Sequence, residues 1–99
     1  MDLLLVDSQI KDLELEVKEG DTLRLNLASF HEFPTCKIQV NVRKNAVLDV
    51  AFADLGHGKG TFTFVANLEE GASAEFHASS LSSEKDNKVL DTSVHHLEP

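Results

Sequence analysis

The chain has no tryptophan and no tyrosine, so phenylalanine supplies every aromatic residue. That composition disfavours a surface built to stack sugars or bases. A single cysteine, Cys36, cannot close an internal disulfide, and nothing else suggests a stapled secreted framework. Basic residues are scarce: 9 Lys and Arg face 17 Asp and Glu, a net charge of −8. Nucleic acid and anionic membrane both need a positive surface, so both are excluded as expected partners. The run Leu3, Leu4, Leu5 and Val6 is too short for a signal segment or a membrane span, and no basic stretch precedes it. A cytosolic location follows as the expectation.

What the 99 residues do contain is a repeat. Leu13, Leu15, Val17, Leu23, Leu25, Leu27 and Phe30 are matched 25 residues later by Ile38, Val40, Val42, Leu48, Val50, Phe52 and Leu55. A further 26 residues on, the same positions hold Phe64, Ala66, Leu68, Ala74, Phe76, Ala78 and Leu81. Gly20, Asn45 and Gly71 fall at the equivalent turn of each unit, and these residue types accept positive φ. The apolar spacing within a unit is two, so the stacked elements are strands. Acidic residues such as Glu14 and Glu16 alternate with the apolar ones, which assigns much of the negative charge to a solvated face.

The expected organisation is an opening strand or cap over 1–12, then coils at 13–30, 38–55 and 64–81. A partial fourth coil over 90–99 places Leu90, Thr92 and Val94 where coil three has Phe64, Ala66 and Leu68. The first connector runs from Ser29 to Cys36 and contains Pro34, the segment 55–60 reads as a flexible exit from coil two, and 82–88 reads as a polar loop. A fixed period that keeps both the apolar mask and the turn favours an all-β, right-handed parallel β-helix with coils of about 25 residues. An antiparallel jelly roll, in which each unit is a hairpin, is the alternative. The pattern stops half-way through a coil, as expected for a fragment of a larger domain or for a piece that pairs with another chain through its open end.

No constellation here specifies catalysis. Gly56, Gly58, Lys59, Gly60 and Thr61 have the residue types of a phosphate-binding loop, but Gly60 separates Lys59 from Thr61 and a strand follows. The histidines His31, His57, His77, His95 and His96 show no ligand spacing, and the adjacent His95 and His96 point to opposite faces of a strand. They read as surface or partner-contacting residues, with no metal and no cofactor expected. Ser79, Ser80, Ser82 and Ser83 follow His77 without an elbow motif. Cys36 would become an activated thiol only if His31 approached it. The chain is not expected to be an enzyme.

The segment containing Asp91, Thr92, Val94, His95, His96 and Pro99 resembles a stretch of the SufB/SufD family, scaffold proteins of the SUF iron–sulfur cluster assembly machinery, and leans toward SufD. Upstream, Val17-Lys18-Glu19-Gly20 and Leu68-Glu69-Glu70-Gly71 resemble that family's coil turns. The resemblance implies a right-handed parallel β-helix core, pairing with a SufB-like scaffold chain and with an ABC-type ATPase subunit, and a role in building clusters for apoproteins in the cytosol. Family members are several times longer, and their cluster-handling residues and ATPase-docking region lie beyond the equivalent of Pro99. No cluster ligand is therefore carried over, and His95 and His96 are matched as structural or interface positions. Two other readings stand beside this one. One is a self-assembling β-solenoid without a cluster role. The other is a cupin-like metal-dependent protein, because 17–23 also resembles a cupin turn.

Overall fold

The computed structural model describes residues 1–56, 58–80 and 87–97. Its strands are β1 (Asp2–Val6), β2 (Leu13–Val17), β3 (Thr22–Ser29), β4 (Cys36–Val42), β5 (Val47–Asp54), β6 (Lys59–Leu68), β7 (Ser73–Ser80) and β8 (Asn87–His96), with a single 3-10 turn at Asp7–Gln9. They form two four-stranded sheets, ordered β1-β3-β5-β7 and β2-β4-β6-β8. Every neighbouring pair is parallel. The chain crosses from one sheet to the other at every turn, so the two sheets are the walls of a parallel β-solenoid of about three turns. A jelly roll would need antiparallel neighbours, and this pairing removes it.

Like residues stack on like residues because the register repeats. Leu3, Leu25, Val50 and Phe76 form one inward row, and Leu13, Ile38, Phe64 and Thr92 form another. Leu25, Ile38, Val40, Leu48, Val50 and Phe62 are fully buried. Phe52 stacks on Phe62 with ring centroids 4.9 Å apart, and Phe33 from the first connector closes that end of the core against Phe52. Residue identity supports the rows: β-branched and aromatic side chains suit a pleated, buried surface.

The three turns are built alike. Asp21, Ala46 and Ala72 each donate a backbone N–H to the carbonyl three residues earlier, and Gly20, Asn45 and Gly71 sit at φ +76°, +59° and +74°. Those values are the left-handed conformation that the third residue of such a turn demands. A Cβ at Gly71 would overlap the Asn45 carboxamide, so stacking of the turns reinforces the glycine requirement there.

Several sequence expectations need correction. The opening strand or cap expected over 1–12 is a strand, β1, paired with β3, and needs none. Lys59 and Gly60 belong to β6 rather than to a flexible exit, and Cys36 opens β4. The last position of the apolar mask is outside the core: Phe30 and Leu55 are exposed, because β3 and β5 end just before them, and Leu81 lies outside the described residues. The fourth coil is displaced by two residues. Leu90, Thr92, Val94 and His96 lie opposite Phe62, Phe64, Ala66 and Leu68, an offset of 28 residues where periodicity called for 26. An even displacement preserves which face each side chain takes, so the inward row remains inward.

Candidate functional site

Strands β7 and β8 end the two sheets, and their outer edges have no neighbour among the described residues. Core rows that are apolar elsewhere thin out here to Ala74, Phe76 and Ala78 in β7, and to Leu90, Thr92, Val94 and His96 in β8. Val89, Leu90, Val94 and Leu97 are exposed. The Leu97 N–H still reaches the Leu68 carbonyl at 2.7 Å, so the ladder continues past the strand end. Every motif residue singled out from the sequence, apart from Pro99, lies on this last coil. Asp91 and His95 point outward above Thr63 and Asn67, while Thr92, Val94 and His96 take the inward rows. Pro99 lies outside the described residues. Gly20, Asn45 and Gly71 form the corner at which β2, β4 and β6 turn into β3, β5 and β7.

The outward face of β5 and β7 carries a cluster that sequence reading did not assemble. Asp49 lies opposite Glu75 in register, and His77 follows two residues along. One ligand atom from each lies within 4.8 Å of the others, with His77 Nε2 3.3 Å from Glu75 Oε2. The signal was present, since Asp49 and Glu75 are separated by one coil length. Two carboxylates and one imidazole are chemically able to share a divalent cation. Glu75 and His77 are largely exposed, which is also what a solvated ladder face looks like.

At the turn corner, Arg43 bridges Glu16 and Glu69 at 3.0 Å each, linking three coils. The hydrogen bonds that it donates to Glu16 and then Glu69 push the guanidinium further above its ordinary value. An outward amide ladder runs alongside: Asn67 Nδ2 donates to Asn41 Oδ1 at 3.0 Å, and Asn41 Nδ2 to Glu14 at 3.3 Å.

The fourth feature is buried. Asp54 and Lys88 form an ion pair at 2.9 Å with side chains only 2% and 7% exposed. Asp54 was legible as unusual, because strict alternation along β5 places it in the inward row with Leu48, Val50 and Phe52.

No family model, curated protein or solved structure matches the chain.

A nucleophile with its base is missing among the described residues. Burial, and then the charge of Asp12, push the Cys36 thiol up to about 11, which keeps it protonated and weakly nucleophilic. His31 turns away to Asp7, whose carboxylate lies 3.7 Å from Nε2 and accepts the Phe30 and His31 backbone N–H groups. His77 faces Glu75, and no hydrogen bond joins it to Ser79. His57, Ser82 and Ser83 lie outside the described residues. Lys59 and Gly60 are ladder residues opposite Asn87 and Lys88, so the glycine-rich segment has no helix N-terminus to hold a phosphate. Among the described residues no helix is long and apolar enough to cross a membrane.

Proposed function

We propose that this chain is a scaffold segment of SUF-type iron–sulfur cluster assembly, working in the cytosol by pairing its last coil with a SufB-like chain and acting alongside an ABC-type ATPase subunit. The observation that carries this reading is the end of the solenoid. Among the described residues the outer edges of β7 and β8 have no neighbour, Val89, Leu90, Val94 and Leu97 are exposed beside them, and the family-like motif residues Asp91, Thr92, Val94, His95 and His96 occupy that same coil. An open edge recognises a partner through main-chain hydrogen bonds, with side chains supplying selectivity. The role is passive, and no residue of the chain is assigned to cluster ligation or catalysis.

Co-expression with a SufB-like chain, followed by size-exclusion chromatography with light scattering, tests it. A one-to-one complex is expected, and Val94→Pro, which disrupts the edge strand, should abolish it. Failure of the unmodified chain to bind would sink the proposal. The same open edges support a second reading, a self-assembling β-solenoid without a cluster role, which predicts homo-oligomers and indifference to the SufB-like chain. A cupin-like metal-dependent protein fits less well, because the sheets are parallel and no histidines converge among the described residues.

A further inference from the structure

The register of β8 is a puzzle in packing terms. From β2 to β7 the offset between stacked strands is 25 or 26 residues, and a 26-residue offset for β8 would set Leu90 on Phe64 and Val94 on Leu68. The observed offset of 28 instead sets Thr92 on Phe64 and His96 on Leu68. Both alignments keep the same face inward, so strand parity does not choose between them. The apolar side chains of β8 give the observed register no advantage, for Leu90 and Val94 remain exposed in it.

One contact does depend on this register. In β8 the residues 89–96 are exposed, apart from half-buried Ser93, whereas the Lys88 side chain is buried. Its ammonium pairs with Asp54 Oδ2 at 2.9 Å, donates to the Gly56 carbonyl at 2.7 Å, and sits 5.8 Å from the Phe33 ring centroid. Asp54 Oδ1 meanwhile accepts the Gly56 N–H at 2.9 Å. Through one side chain, β8 grips the end of β5, the segment after it, and the connector between β3 and β4. Lys88 lies opposite Gly60 in the ladder. A slip of two residues would carry it about 7 Å along the strand to face Phe62, away from Asp54.

We propose that the Lys88–Asp54 pair is a register lock: it selects the observed alignment of β8 on β6 over the alignment that the repeat period favours. The physical basis is the penalty for separating the two groups. Withdrawing the lysine ammonium from a buried carboxylate is strongly destabilising, whereas the pair itself adds little over an apolar replacement. Such a pair therefore acts by discriminating between arrangements, as a buried polar residue sets register in a coiled coil. The lock also decides where Asp91 and His95 sit along the open edge, whatever partner docks there.

Nuclear magnetic resonance on the intact chain reads the register directly. In the unmodified protein, interstrand contacts are expected between the backbones of Ala66 and Val94. In the double variant Asp54→Asn/Lys88→Met, which removes both charges and leaves no buried carboxylate, contacts between Ala66 and Thr92 are expected in their place. Contacts between Leu25 and Val50 report that the remaining coils are folded. Retention of the Ala66–Val94 contacts in the double variant would overturn the proposal. So would loss of all β6–β8 contacts with Leu25–Val50 intact, since the pair would then hold the strand without choosing its alignment. Should the double variant not fold, Lys88→Gln in the same measurement decides by the same two contacts. If that variant also lacks the Leu25–Val50 contacts, the pair is required for the whole fold and the register role is refuted.

Discussion

Replacing Phe62 by alanine should cost this solenoid a large share of its stability, while the same change at Phe30 should cost almost nothing. Both residues belong to apolar patterns of the sequence, but Phe62 is fully buried between the Cys36 and Leu90 positions of its row and stacks on Phe52 at 4.9 Å. Phe30 is 50% exposed. Truncating a buried Phe costs about 3–5 kcal/mol, a figure that already contains part of the aromatic pair's contribution of about 0.5–1.5 kcal/mol. A domain of this size has about 5–15 kcal/mol in total. Taking a loss of about 4 kcal/mol, the thermal midpoint should fall by about 15–30 °C and the urea midpoint by about 2 M. With no Trp or Tyr to report fluorescence, the transition is followed by far-ultraviolet circular dichroism. Phe30→Ala should stay within about 0.5 kcal/mol of the unmodified chain. A Phe62→Ala loss below about 1 kcal/mol, or an equal loss at Phe30, would refute the assignment of the core rows.

Spin labels at Glu14 and Val65, with Cys36 changed to Ser, should report a backbone separation near 10 Å, because Glu14, Gln39 and Val65 stack in one outward row. A distance beyond about 20 Å would rule out two intervening strand spacings. Cys36 predicts a pH effect: the native thiol titrates at about 11 against an ordinary 9.0, so between those values the folded state holds a proton that the unfolded state has lost. Stability is then fully present below about 9 and falls as pH rises toward 11. Urea midpoints compared with Cys36→Ser across that range should converge or cross, and parallel curves would contradict the burial of the thiol.

The repeat was legible because a solenoid writes its geometry into the sequence twice. Inward positions recur every two residues along a strand, and whole coils recur every 25 or 26 residues. Rows such as Leu25 on Val50 and the turns at Gly20, Asn45 and Gly71 follow from those two periods alone. The strand β1 was less visible, because only Leu3 and Leu5 continue its rows and the turn that follows is built differently, with Asp7 at φ +50°. The seventh mask position failed for a related reason: Phe30 and Leu55 look periodic, but pairing ends before each of them and the backbone leaves the pleat.

Of the candidate sites, the last-coil motif was visible as a string of residues, and the cluster of Asp49, Glu75 and His77 was recoverable from the coil length. The Lys88–Asp54 pair was not. Residues 54 and 88 are separated by more than one coil, and nothing in local pattern distinguishes a lysine in a polar stretch from one that turns inward. Local periodicity and backbone conformation, both written in the sequence, were enough to place apolar rows inside stacked strands and to align the left-handed turn residues, whereas the parallel pairing that excludes a jelly roll came from the sheets. Only the tertiary structure decided the alignment of β8. Two registers with the same parity satisfy the local pattern, and the choice between them rests on a buried charge meeting its partner across the coil.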